Sequence, residues 1–325
     1  MKTPAELTSN KSIEILWPQM HLKLKLILNA SSASHDFEGD IRQFEGSVAD
    51  LIGKNVDASL FVLVQMLFEK HLSYNASHAL LCATLCRLIG THAELSPKEL
   101  TSLCRAALTM NIGMSSLHDL LANQNSEVTV DQRRSIANHP AAGRQLLSNK
   151  GVQDKMWLQI VQQHHAVLPE IVDAGDERRI QMATRILQLA DIFVGSISPR
   201  STRPGLLSRQ GALKIYKGEE GKPNLLGAAF VKSIGIYIPG SYVKLANGEV
   251  SIVIKRGINA HTPYVASIIG MRGAPNQDPV LRDTSEPGFE IKEGISANQV
   301  RLRTNWEMLL NKFFDLYALP TQRPQ

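Results

Sequence analysis

The sequence predicts a mainly α-helical fold in which a helical domain is followed by a small β-subdomain and a C-terminal helix. Three observations carry that expectation. Between about 55 and 235 the apolar residues recur at helical spacing behind two capping boxes. Near Gly235 the period changes to alternation, and Asn247-Gly248 separates two β-branched runs. Trp306 to Leu316 then closes on an amphipathic pattern.

Residues 1–54 form a leader containing one helix, with Ile41, Phe44, Val48 and Leu51 on one face. Residues 55–235 form the helical domain. There Leu100, Leu103, Cys104, Ala107 and Leu108 follow i, i+3, i+4, i+7, i+8 behind the box Ser96/Glu99, and a second box, Thr129/Gln132, opens the helix leading to His139. Residues 236–325 carry the β-subdomain. Ser241 to Ala246 and Glu249 to Lys255 are its hairpin strands, Pro263 to Gly270 and Phe289 to Ile295 add further strands, and the amphipathic helix closes it.

The length, 325 residues, corresponds to about two domains at roughly 150 residues each. The net charge of +5 is too mild to indicate a nucleic-acid protein. Cys82, Cys86 and Cys104 are odd in number and lack C-x-x-C spacing, so they read as core residues of a protein in the reducing cytoplasm. Neither a membrane span nor a signal peptide is expected, since Lys23 and Lys25 interrupt the stretch Leu22 to Leu28.

The chemistry concentrates in five ionisable residues that fall on apolar faces. His78 precedes Leu81, Cys82, Leu85, Cys86 and Ile89 at offsets of 3, 4, 7, 8 and 11. His164 and His165 end a stripe begun by Trp157 and Val161, and Asp191 shares a face with Ile180, Ala183, Leu187 and Val194. His139 precedes Pro140, which places it at a helix boundary. A single histidine on such a face is ordinarily a hydrogen-bonded core residue. A buried carboxylate is different, because it needs a cation or several donors. Four imidazoles and one carboxylate together suit one divalent transition metal, iron, manganese or zinc. His21, His35, His71, His92, His118 and His261 are assigned to surface or packing, and the dipeptide His118-Asp119 to coincidence.

Tyr74-Asn-Ala-Ser-His78, Ala106 to Met114, His139-Pro140 with Gly143, His164-His165 and Arg185-Ile-Leu-Gln-Leu-Ala-Asp191 resemble, in order and spacing, the motifs of an HD-GYP domain. This branch of the HD phosphohydrolases is all-helical and hydrolyses cyclic di-GMP at a metal centre. The resemblance covers about 55–235, and Pro239 to Glu249 is similar to the β-extension that often follows such domains.

The departures from the family pattern predict a broken catalytic site. Where the resemblance places the metal-bridging His-Asp dyad and a catalytic lysine, this chain has Met110, Asn111 and Met114. Ala166 replaces the glutamate after the paired histidines, Ala166 to Gly175 lacks a Gly-Tyr-Pro loop, and Val194 stands where a second acid is expected. Hydrolysis of this kind needs clustered divalent ions to activate water and clamp phosphoryl oxygens. Asp191 alone brings negative charge to the matched positions, so the ligand set is vestigial or mononuclear. The resemblance therefore implies a catalytically inactive signalling or regulatory domain that contacts a protein partner, a cyclic dinucleotide or both. The alternative is a residual metal-dependent phosphohydrolase on cyclic di-GMP or another phosphoester. Arg200 and Arg203, in a basic stretch continuing through Arg209, Lys214 and Lys217, are the candidate phosphate ligands.

Overall fold

The computed structural model describes residues 13–29, 36–168, 175–217, 225–300, 302, 305–313 and 316. Among the described residues eleven helices precede the sheet: α1 (Ile13–Asn29), α2 (Phe37–Lys54), α3 (Val56–Phe68), α4 (Tyr74–His92), α5 (Pro97–Thr109), α6 (Ser115–Asn123), α7 (Val130–Asn149), α8 (Lys155–Gln163), α9 (Gly175–Ile197), α10 (Ser208–Lys217) and α11 (Leu225–Ile234). Five strands follow, β1 (Tyr242–Leu245), β2 (Val250–Lys255), β3 (Tyr264–Ile269), β4 (Pro275–Asp283) and β5 (Ile291–Ile295), and then α12 (Trp306–Lys312). No single helix among the described residues is long and apolar enough to cross a membrane.

Helix α4 is the axis of the helical part. It is buried without interruption from Tyr74 to Cys86, because α3, α5, α9 and α11 pack around it. Both capping boxes form as the sequence predicts, Ser96 with Glu99 at α5 and Thr129 with Gln132 at α7. Residues 1–54 hold two described helices where one was expected. The apolar pattern of α1 is split by Pro18 inside the helix and by Lys23 and Lys25, yet Trp17, Leu24 and Leu28 still reach the core. His35 and residues 1–12 lie outside the described residues.

The sheet is antiparallel in the order β4-β3-β2-β1-β5. Asn247-Gly248 closes the β1–β2 hairpin with Gly248 at φ +92°, a backbone region that glycine enters without penalty. The sequence pattern does not mark strand β4. It is an edge strand, largely exposed and carrying Pro275 and Pro279, so it lacks the alternation that betrays a half-buried strand. Of the expected closing helix, α12 covers Trp306–Lys312, and positions 314–315 lie outside the described residues.

One apolar core runs from Trp17 on α1 through α4 to Ile252, Ile254, Ala266 and Ile268 of the sheet. Polar clamps hold the two parts together. Asp57 of α3 accepts from the Arg256 side chain at 2.6 Å, and Gln65 donates to the Gly240 carbonyl at 2.6 Å and accepts from the Tyr242 hydroxyl at 3.1 Å. A fragment of residues 236–300 therefore remains unfolded by circular dichroism, having lost the surface that buries one face of its sheet. A cooperative melt of the isolated fragment would contradict this.

Candidate metal centre

The site is assembled where α4, α7, α8 and α9 meet. Tyr74 and His78 are one turn apart on α4, so they share a face. Helix α9 packs on α4 and brings the Asp191 carboxylate to His78, with His78 Nε2 donating to Asp191 Oδ1 at 2.8 Å. The other ring nitrogen, Nδ1, lies 3.2 Å from the Tyr74 hydroxyl. His78 is buried, while the Asp191 side chain is 19% exposed.

His139 is not at a helix boundary, as Pro140 had suggested, but inside the continuous helix α7. The reason is local. Pro140 has no N–H to give the carbonyl four residues back, and that carbonyl, Ile136, accepts from His139 Nδ1 at 2.6 Å instead. At the end of α8 the Val161 carbonyl, free of a helical partner, likewise accepts from His164 Nδ1 at 2.7 Å. Carbonyl oxygens only accept, so both neutral rings carry their proton on Nδ1. Their Nε2 atoms, 3.0 Å apart, then present lone pairs to each other.

Two lone pairs in that position repel, and a cation between them would relieve the repulsion. A shared proton would do, but burial holds His139 below the ordinary histidine range, and burial together with His165 lowers His164 to about 3. A metal ion suits the arrangement better, and imidazoles fixed through Nδ1 by backbone carbonyls are oriented as metal ligands are. The donor atoms of His139, His164 and His165 all lie within 4.8 Å of one another, as do those of His78, Cys82 and Asp191.

The five expected residues thus fall into two groups within one region. The core-facing assignment holds for His78, His139 and His164 but not for His165, which is exposed in the turn after α8, nor fully for Asp191. Burial alone would raise the Asp191 carboxyl. The hydrogen bond from His78 and the charges of His78, His164 and His165 instead hold it well below the usual carboxylate range.

The degenerate positions differ in their surroundings. Met110 is fully buried, Asn111 is 6% exposed, and the chain then turns through a 3-10 helix, Ile112–Met114. That turn packs tightly on α7: a Cβ at Gly113 would stand 2.6 Å from the His139 carbonyl oxygen and 2.7 Å from the Gly143 nitrogen. Gly113→Ala must therefore push α7 away, and we expect it to lower stability by about 1–3 kcal/mol in denaturant melts. Unchanged stability would show that the turn yields. Ala166 is exposed, with its carbonyl accepting from Gln188 at 2.9 Å, and Val194 is buried in the core. Residues 169–174 of the following loop lie outside the described residues.

His118 lies against the site, a place its sequence pattern did not reveal. Its ring stands 5.3 Å from that of His78 and 4.7 Å from that of Tyr74. The signal was its neighbour Asp119, which accepts from Ser73 Oγ at 2.8 Å and Asn75 N at 2.8 Å and so ties α6 to the N-terminus of α4. Asn75 Nδ2 donates to Ser115, leaving its Oδ1 to accept from His118 Nδ1 at 3.0 Å.

The arginines divide. The Arg200 guanidinium lies 5.5 Å over the Tyr74 ring, beside the site, and its Nε is buried without a hydrogen bond. Arg203 donates to the Gly195 carbonyl at 2.8 Å, where it caps the last turn of α9.

Comparison with known proteins places this geometry. A family model described as "HD domain" matches residues 62–225. The cyclic di-GMP phosphodiesterase PA4108 of Pseudomonas aeruginosa is 21% identical over 206 residues, which are 61% of this chain and 49% of that protein. This chain therefore spans about half the length of that relative. Among solved structures, Bd1817, a HDG"Y"P protein from Bdellovibrio bacteriovorus, superimposes with a TM-score of 0.51 at 18% identity, covering 69% of this chain and 72% of that one. The fold is HD-GYP-like.

Proposed function

The chain belongs to the HD domain family, and from that premise we propose that it is a catalytically inactive HD-GYP-like module that keeps a divalent-cation site and works in signalling through a protein partner or a bound cyclic dinucleotide. The observation that carries this reading is the turn from Met110 to Met114, buried at Met110, Asn111 and Ile112 and half-buried at Met114. A thioether and a neutral amide occupy the dyad positions there. His78, His139, His164, His165 and Asp191 would hold the cation, iron, manganese or zinc. When bound, such an ion supplies Lewis acidity toward phosphoryl oxygens. Asp191 is the one carboxylate among these residues, too little charge to hold a bridged pair of divalent ions, and Met114 cannot stabilise transition-state charge as a lysine does. Arg200, beside Tyr74, is the residue best placed to meet a nucleotide phosphate. Calorimetric titration with cyclic di-GMP tests this, and an affinity unchanged by removing Arg200 and Arg203 excludes both.

The test of inactivity is direct. Full-length protein supplied with manganese or ferrous iron is expected to leave cyclic di-GMP intact, and turnover that disappears on His164→Ala would overturn the reading. Met110→His with Asn111→Asp is also expected to stay inactive, because Met114 and Ala166 remain and catalytic groups act as a unit. A second reading, a residual phosphohydrolase acting on another phosphoester, is favoured by the facing Nε2 atoms of His139 and His164. Stoichiometric metal in protein purified without chelator, with turnover in a phosphoester panel, would select it.

A further inference from the structure

We propose that His78, Cys82 and Asp191 form a cation site of their own, in which the Cys82 thiolate is a ligand and which prefers a borderline or soft divalent ion such as zinc, cobalt or ferrous iron. This deepens the reading above, which counts His78 and Asp191 among the cation-holding residues, by adding a ligand and naming the class of cation.

The geometry starts from helical spacing. His78 and Cys82 are four residues apart on α4 and project from one face, and α9 lays Asp191 against them. One donor atom from each lies within 4.8 Å of the other two. Cys82 is fully buried, is not in a disulfide, and makes no hydrogen bond among the described residues. Cys104, by contrast, donates to the Ala83 carbonyl at 3.8 Å. The Tyr74 hydroxyl holds His78 by Nδ1 and so aims Nε2 at the site.

Charge favours the same conclusion. Asn111 removes the carboxylate that the family pattern would bring, and three imidazoles at His139, His164 and His165 add no negative charge. A thiolate at Cys82 with the Asp191 carboxylate supplies two negative charges, matching one divalent ion. On binding, Cys82 releases its Sγ proton to solvent. The His78 ring proton moves from Nε2 to Nδ1, where the Tyr74 oxygen accepts it. Thiolate with imidazole and carboxylate selects zinc, cobalt or ferrous iron over magnesium or calcium, whereas a site of oxygen donors would reverse that order.

Cobalt(II) titration of chelator-treated, dialysed full-length protein tests the proposal. The expected result is a sulfur-to-cobalt charge-transfer band in the near ultraviolet that is lost in Cys82→Ser, kept in Cys86→Ser, and kept in the His139→Ala/His164→Ala double variant. Visible cobalt bands without the charge-transfer band, or a band that survives Cys82→Ser, overturn this site while leaving the broader cation-holding reading in place. No cobalt binding at all overturns both. Should Cys82→Ser fail to fold, X-ray absorption on zinc-loaded wild-type protein decides: a sulfur neighbour at about 2.3 Å supports the site and its absence overturns it.

Discussion

The His78→Ala variant is expected to lose on the order of 3–5 kcal/mol of stability, because it strands a charged carboxylate that was built into the interior with a partner. Asp191 is only 19% exposed, and His78 donates to it at 2.8 Å. The reciprocal variant, Asp191→Ala, costs less, about 1–3 kcal/mol, since it removes the buried carboxylate itself and leaves an imidazole short of one hydrogen bond. Denaturant melts in the presence of chelator measure both without the complication of ligand loss. The pH dependence has a definite sign. Burial would raise the Asp191 carboxyl, but His78, His164 and His165 hold it below its unfolded value. The stability it contributes is thus complete above the unfolded range, about 3.9, and is lost as pH falls through the lower folded value. The deficit of His78→Ala should accordingly persist unchanged across neutral and mildly acid pH. Equal costs for the two variants would mean that the pair does not carry its charge on Asp191.

Chelator-treated wild-type protein is expected to lose stability steeply as the pH drops below the ordinary histidine value. Burial, reinforced by His165, lowers His164 from 6.5 to about 3, and burial also lowers His139 and His118. Between those limits the unfolded chain binds protons that the folded chain refuses, so stability rises with pH there and falls with acid. The contribution is whole above about 6.5 and progressively lost toward the folded value. For His164 alone the interval corresponds to on the order of 5 kcal/mol. Urea melts from pH 7.5 to 4 check this, with His164→Leu expected to flatten the slope. A wild-type profile that stays level across this interval would mean that these imidazoles ionise freely in the folded state.

Much of this architecture was legible because it rests on local chemistry. The capping boxes at Ser96 and Thr129 and the turn at Asn247-Gly248 each follow from a few adjacent residues. Strand β4 was not legible, since an exposed edge pairs through its backbone and needs no apolar side chains to mark it. Within the site, helical spacing was enough to group His78 with Cys82 and to place Asp191 on the inner part of α9. It could not show that α4 and α9 set these three within reach of one another, because helix crossing is decided by packing across more than 100 residues of sequence, 113 in the case of His78 and Asp191. Nor could it show His118 against His78, which depends on Asp119 reaching back to Ser73. The error at His139 has a similar origin. Proline ordinarily keeps the preceding residue out of a helix, whereas here a side chain takes the place of the missing amide.

That substitution has a consequence for how metal affinity is encoded. Pro140 has no polar side-chain atom, yet by withholding one hydrogen from Ile136 it leaves a carbonyl that the ring beside it satisfies instead. The tautomer of His139 is thereby written into the main chain. Any residue at 140 that restores an amide would compete for that oxygen and free the imidazole to turn, so the readiness of this nitrogen to bind a cation is governed by a backbone vacancy one position away.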